Sequence, residues 1–210
     1  MNKQSLLLYA VTDTAWLCCD SLEHQVTQCL RGGATMVQLR EKSLPLQDFI
    51  NRAHSIKSIT DKYGVPLIIN DEITVMQSCD AAGLHIGQRD MPANRARALI
   101  GPDKILGVSV QTVGQAIAAE KSGADYLGVG AMFPTDTKQD ADTVTPQTLH
   151  EICGSVSIPV VAIGGITAQN IPQLSGTGIA GTAIVSAIFA SKDIENATKQ
   201  LKNTLRAVLG

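Results

Sequence analysis

Short apolar runs recur along the chain, and segments in which apolar residues are spaced three or four positions apart lie between them. Several runs follow a Gly or Ala that ends the preceding segment, as in Gly33–Val37 and Gly123–Leu127. Glycine suits the left-handed residue that ends a helix. A short, continuously apolar run after it is typical of a strand that is buried on both faces, as in a parallel sheet.

The pattern predicts eight strands with helices between them. The helical spacing is clearest at 46–63 and 112–121, and the predicted strands lie at 6–12, 36–40, 66–70, 83–87, 105–110, 126–130, 159–163 and 181–185. Strands that alternate with helices predict a parallel sheet with helical crossovers. Eight units of roughly 26 residues each favour the α/β class and one (β/α)8 TIM barrel, as a single domain over residues 1–210. A doubly wound open sheet is the structural alternative, but no Gly-rich turn follows the first strand to bind a dinucleotide.

Composition narrows the classes of function and the compartment. The net charge is −2 and charged residues make up 17%, which argues against a nucleic-acid partner. No apolar run is long enough to span a membrane, and the first residues lack the features of a signal peptide, so we expect a cytoplasmic protein. The odd set of cysteines without paired ligand spacing predicts reduced thiols, at Cys18, Cys19, Cys29, Cys79 and Cys153. The sequence leaves open whether copies associate into a homo-oligomer.

Polar residues that follow the second, third and fourth strands suggest chemistry at one end of the barrel, where the active sites of this fold lie. Arg40 and Lys42 follow the second strand, and the carboxylates of Asp71 and Asp90 follow the next two. Taken singly, a cationic side chain after a strand is usually solvated. An Asn-Asp pair in that position, here Asn70-Asp71, commonly forms a turn. Together they suit a polyanionic ligand with Mg²⁺ held by one or two carboxylates and by phosphate oxygens.

The last two strands carry a separate signal for phosphate. Gly164 and Gly165 follow the seventh strand and allow a ligand to approach the backbone, and Val185 and Ser186 follow the eighth. The histidines add less: three of them fall in helical patterns, where a surface position is the simpler interpretation (His24, His54 and His150). His85 lies in the fourth strand, and we interpret it as a structural hydrogen-bonding residue rather than an acid or base.

In order along nearly the whole chain, the motifs resemble those of the thiamine phosphate synthase (thiamine-phosphate pyrophosphorylase) family. They are Gln38-Leu-Arg-Glu-Lys42, Asn70-Asp71, His85-Ile-Gly-Gln-Arg-Asp90, Gly107-Val-Ser109, Phe133-Pro-Thr-Asp-Thr-Lys138, Ala162-Ile-Gly-Gly-Ile166 and Val185-Ser-Ala-Ile188. The resemblance implies an enzyme that joins a hydroxymethylpyrimidine diphosphate to a thiazole phosphate and releases pyrophosphate.

The resemblance also implies roles for individual residues. Asp71 and Asp90 would hold Mg²⁺, and Ser109 would face the pyrimidine. The remaining contacts to the pyrimidine diphosphate would come from Gln38, Arg40, Lys42, Asn70 and Lys138. The thiazole phosphate would be bound by Thr135, Thr137, Gly165, Val185 and Ser186.

The reaction that the resemblance implies fits this set of residues. The attacking thiazole nitrogen has no proton to lose, so we expect no catalytic general base. The polar segment 133–146 has few apolar anchors, and we expect it to act as a lid over the site. Two alternatives remain: a thiazole tautomerase of the same superfamily, which would need an acid or base at the mouth, and a non-catalytic phosphate-binding barrel.

Overall fold

The computed structural model describes residues 2–17, 20–135 and 143–210 of the chain. Eight parallel strands form a closed barrel in sequence order, and β1 pairs with both β2 and β8. The strands are β1 (Leu8–Val11), β2 (Met36–Leu39), β3 (Leu67–Asn70), β4 (Gly83–Ile86), β5 (Ile105–Val110), β6 (Tyr126–Val129), β7 (Val160–Ile163) and β8 (Gly181–Ile184). The predicted (β/α)8 barrel is confirmed, and closure excludes the doubly wound open sheet.

Helices surround this barrel. They are α1 (Leu22–Arg31), α2 (Leu46–Lys62), α3 (Ile73–Ser78), α4 (Ala93–Ile100), α5 (Val113–Lys121), α6 (Pro146–Ser155), α7 (Ser186–Phe189) and α8 (Ile194–Leu209). Side-chain oxygens cap several of their first turns: Ser21 accepts from the backbone N–H of His24, and Thr112 from that of Gln115. The two helices that the spacing predicted, at 46–63 and 112–121, correspond in their bounds to α2 and α5.

Two segments differ from the predicted pattern. The first strand was predicted from residue 6, but the chain forms a 3-10 turn at Lys3–Leu6 before β1 begins. Between β7 and β8 the described crossover is a short 3-10 turn, Ile171–Leu174, rather than an α-helix. Pro172 lies inside this turn, and Gly176 and Gly178 with positive φ follow it, so the segment cannot continue as a regular helix.

Alternate residues of each strand face two different cores. One set, which includes Leu8, Ala10, Val37 and Leu39, packs outward against the helices. The other set fills the barrel interior and, with Leu6 of the 3-10 turn, forms a separate cluster, of which the fully buried strand members include Tyr9, Met36, Ile68, Tyr126 and Val161. This alternation turns the interior residues nearest the strand ends toward the carboxyl-terminal mouth of the barrel.

Two further findings bear on the sequence predictions. Among the described residues, no helix combines the length and the apolar character needed to cross a bilayer.

Cys29, Cys79 and Cys153 are free thiols, the first two of them buried, while Cys18 and Cys19 lie outside the described residues. Burial raises the pKa of the Cys29 thiol to about 12 and that of Cys153 to about 11, so both stay protonated near neutral pH.

Candidate active site

A cavity of about 760 Å³ opens at the carboxyl-terminal ends of the strands. Every site residue predicted from the sequence and described in the structure lines it: Gln38, Arg40, Lys42, Asn70, Asp71, Asp90, Ser109, Thr135, Gly165, Val185 and Ser186. Thr137 and Lys138 fall within 136–142, outside the described residues, so their placement and the lid expected at 133–146 stay predictions. The cavity thus gathers side chains from distant parts of the sequence at one mouth.

Two carboxylates form the acidic part of the wall. Asp71 follows β3 with a left-handed backbone (φ 63°), and Asn70 Nδ2 donates to its Oδ2 at 2.6 Å. Asp90 accepts from the backbone N–H of Gly87 at 2.6 Å. The pKa of Asp71 is raised to about 7, chiefly because surrounding protein removes water from the carboxylate, and further by the negative charge and hydrogen bond of Asp90. Arg40 and Asn70 oppose that rise without cancelling it.

This carboxylate pair fits a hard divalent cation. Two carboxylates near enough to raise a pKa repel each other when both are ionised, and a cation between them would remove that repulsion. Among residues 2–17, 20–135 and 143–210, no group of three or more His, Cys, Asp or Glu side chains is arranged to hold a metal. Mg²⁺ is commonly held by one or two carboxylates and completes its shell with water and substrate phosphates, so two carboxylates suffice.

The loop after β2 supplies the cationic part of the wall. The buried Thr12 hydroxyl accepts from the backbone N–H of Arg40 at 3.1 Å, which fixes this loop against β1. Glu41 points away from the cavity and pairs with Arg52 of α2 at 2.6 Å, with its side chain only 5% exposed. Because Glu41 is neutralised there, Arg40 and Lys42 on either side of it contribute positive charge to the cavity wall.

Below the cavity, hydrogen bonds link side chains from five strands across the barrel interior. Gln38 Nε2 donates to Tyr9 Oη at 2.7 Å, and Tyr9 Oη lies 2.9 Å from Tyr126 Oη. His85 Nδ1 lies 2.8 Å from Tyr126 Oη, and His85 Nε2 lies 2.9 Å from Ser109 Oγ. His85 therefore occupies the hydrogen-bonding position expected from the sequence.

The tyrosines of this network were missed by the sequence analysis, as were other residues of the cavity wall. The wall also contains Tyr9, Thr12, Gln88, Arg89 and Gln111. A usable signal existed for Tyr9, because it alternates with Val11 on the interior face of the first strand. Nothing comparable pointed to Tyr126, which is fully buried and does not line the cavity.

The opposite side of the cavity is formed by the loops after β7 and β8. Gly164 and Gly165 have positive φ, and a Cβ at Gly165 would collide with the carbonyl oxygens of Phe133 and Pro134. Both glycines therefore allow the loop after β7 to pack against the loop after β6, in addition to lining the cavity. Val185 and Ser186 line the same side where α7 begins, and the first N–H groups of a helix suit an anion.

Comparisons with known proteins agree with this geometry. The family model described as thiamine monophosphate synthase matches residues 8–188. A thiamine-phosphate synthase of Ruminiclostridium cellulolyticum is 52% identical over 200 residues, which cover 95% of each chain. Thiamine-phosphate synthase 2 of Streptococcus pneumoniae serotype 4 is 49% identical over 209 residues and the full length of both.

A solved structure gives the same result. Thiamine phosphate pyrophosphorylase from Pyrococcus furiosus superposes with a TM-score of 0.92 at 36% identity, covering 99% of both chains. The family matched by sequence and the fold matched by structure are the ones that the motifs predicted. The chain belongs to the thiamine monophosphate synthase family.

Proposed function

We propose that this chain is a thiamine phosphate synthase. As a transferase it condenses 4-amino-2-methyl-5-hydroxymethylpyrimidine diphosphate with 4-methyl-5-hydroxyethylthiazole phosphate, or its carboxylated form, and releases pyrophosphate. The observation that carries this proposal is that one cavity has cations and carboxylates on one side and the loops after β7 and β8 on the other. We also propose that it works on these small molecules in the cytoplasm as one domain over residues 1–210.

The diphosphate would bind on the charged side of the cavity. Arg40, Lys42 and Asn70 would contact its oxygens, and Lys138 would approach from the loop after β6. Asp71 and Asp90 would hold Mg²⁺, which when bound neutralises charge on the leaving diphosphate. Arg40 and Lys42 act in the same direction, because fixed positive charges stabilise an anion that gains charge in the transition state.

The pyrimidine would lie deeper, between Gln38 and Ser109. The bond between its methylene carbon and the diphosphate oxygen breaks, and the electron pair leaves with the diphosphate. The amino group on the ring stabilises the cation that forms at the methylene. The thiazole nitrogen then donates its lone pair to form the new C–N bond, with the thiazole phosphate held by Thr135, Thr137, Gly165, Val185 and Ser186.

No general base is needed in this sequence, because the attacking nitrogen carries no proton. His85 lines the cavity, but its two ring nitrogens contact Tyr126 and Ser109, which favours a hydrogen-bonding role over a role as an acid or base. This engagement also disfavours the tautomerase alternative, which must move a proton at the substrate.

Product analysis tests the proposal. The protein is incubated with both substrates and Mg²⁺, and thiamine phosphate and pyrophosphate are quantified by chromatography and mass spectrometry. A synthase gives the two products in equal amounts and gives no thiamine phosphate when either substrate is omitted. An isomerised thiazole without pyrophosphate would indicate a tautomerase, binding without any product would indicate a phosphate-binding barrel, and either result would refute the proposal.

A further inference from the structure

The hydrogen-bonded chain beneath the cavity connects two residues of its wall that lie on different strands. It runs Gln38, Tyr9, Tyr126, His85, Ser109. Gln38 and Ser109 are the ends of the chain; both line the cavity, as do Tyr9 and His85, whereas Tyr126 is fully buried beneath it. A chain of this kind can transmit the donor or acceptor state of one end to the other.

Glycine at position 107 makes the centre of the chain possible. Gly107 lies on β5 opposite His85 and Tyr126 in the strand register. A Cβ at Gly107 would overlap the ring and hydroxyl of Tyr126 and the Nδ1 atom of His85. The missing side chain therefore leaves the space in which Tyr126 and His85 meet.

The direction of each hydrogen bond follows from what each group can donate. Gln38 Nε2 can only donate, so Tyr9 Oη accepts from it and its own proton points to Tyr126. Tyr126 then donates to His85 Nδ1, and a neutral imidazole that accepts at Nδ1 carries its proton on Nε2. Burial raises the pKa of both tyrosines, so both remain phenols with a proton to donate.

The two ends therefore present opposite hydrogen-bonding characters. Ser109 Oγ accepts from His85 Nε2, which leaves the Ser109 hydroxyl proton for another acceptor. At the other end, Gln38 has used its amide nitrogen on Tyr9, which leaves Oε1 as an acceptor. A 4-aminopyrimidine offers the complement, a donating amino group beside an accepting ring nitrogen, whereas a 4-oxopyrimidine offers an acceptor beside a ring N–H.

We infer that Tyr9, Tyr126 and His85 are positioning residues that fix Gln38 as an acceptor and Ser109 as a donor, so that the site selects a 4-aminopyrimidine diphosphate over its 4-oxo counterpart. The inference rests on the proposed function and adds to it the origin of the base selectivity. To bind the 4-oxo ring equally well, the Gln38 amide would have to turn over and the whole chain would have to reverse its protons. Tyr126 contributes without touching the substrate.

Calorimetry with Mg²⁺ measures the dissociation constants of the aminopyrimidine diphosphate and of its 4-oxo counterpart for each variant. We expect the parent to prefer the amino compound by about 100-fold or more, because a site built to hydrogen-bond rejects a mismatched partner strongly. Tyr126→Phe removes one hydroxyl and should reduce that preference by roughly tenfold. Tyr63→Phe is the matched control, since Tyr63 is 40% exposed at the end of α2, and its preference should equal the parent's.

Tyr9→Phe breaks the chain at a second point and serves if Tyr126→Phe does not fold. The double variant should lose no more selectivity than either single variant, because the loss of one hydrogen bond already disconnects Gln38 from Ser109. If the two substitutions instead perturbed the structure independently, their effects on selectivity would add. A Tyr126→Phe protein that keeps the parent's preference, or a parent without preference, would overturn the inference. A parent that binds neither compound and releases no pyrophosphate would instead overturn the proposed function.

Discussion

Proton competition at the paired carboxylates predicts that Mg²⁺ binding weakens as the pH falls through neutrality. Asp71 has a pKa raised to about 7 by lost hydration and by Asp90. Mg²⁺ binds the ionised carboxylate, so a proton on Asp71 competes with it. The ionised fraction falls from about nine tenths near pH 8 to about one tenth near pH 6, so the affinity should fall roughly tenfold. An aspartate with an ordinary pKa of about 3.9 would be ionised at both values and would give no change.

The assay is a calorimetric titration of the protein with Mg²⁺ in the presence of inorganic pyrophosphate, at several values between about pH 6 and about pH 8. Pyrophosphate itself titrates in this range, so the parent must be compared with Asp71→Asn. That variant binds Mg²⁺ more weakly at every pH, because one ligand is lost. It should also retain only the pH dependence that pyrophosphate contributes, because the carboxylate with the raised pKa is gone. Equal pH dependence in the two proteins would show that no proton on Asp71 competes with the metal, and would refute the reasoning.

Three other measurements test separate parts of the reasoning. Arg40→Ala should weaken binding of the pyrimidine diphosphate by about 1.5–3 kcal/mol and leave thiazole phosphate binding nearly unchanged; equal losses in calorimetry would place Arg40 between the two sites. Gly107→Ala should destabilise the fold by about 1–3 kcal/mol in urea unfolding, because its Cβ overlaps Tyr126. Gly154→Ala is its control, since nothing lies within 4 Å of the added Cβ and α6 should become slightly more stable; equal effects would contradict the packing argument. An electron-withdrawing substituent on the pyrimidine should slow single-turnover chemistry steeply with little effect on binding, and rates insensitive to it would indicate direct displacement.

The barrel could be predicted because its strands are buried on both faces and so appear in the sequence as short apolar runs. The crossover between β7 and β8 could not be read in the same way. Its 3-10 turn, Ile171–Leu174, is too short to show a helical spacing, and Pro172 with the following glycines removes the usual helix signals. The first strand was predicted to begin too early for a related reason: apolar Leu6 and Leu7 continue the run, but they belong to the 3-10 turn and its cap.

Residues at the strand ends could be predicted as a site because the topology alone brings them together. Asp71 and Asp90 are 19 positions apart in the sequence, yet they follow adjacent strands, and the negative charge of Asp90 helps to raise the pKa of Asp71. Contacts inside the barrel could not be predicted in this way. Tyr9 and Tyr126 are separated by 117 positions and belong to β1 and β6, which are not neighbours, so no local pattern connects them.

The motifs that identify the family combine residues of two physical kinds. In Gly107-Val-Ser109 the serine faces the cavity, whereas the glycine makes room for Tyr126 and His85. In Gln38-Leu-Arg-Glu-Lys42 the glutamate turns away to Arg52 and leaves the two cations beside it on the wall. A motif residue therefore need not contact a ligand. Substitutions can distinguish residues that face the cavity from residues that only make room for others. Changes at Arg40 or Lys42 should alter binding at unchanged stability, while changes at Gly107 should alter stability and binding together.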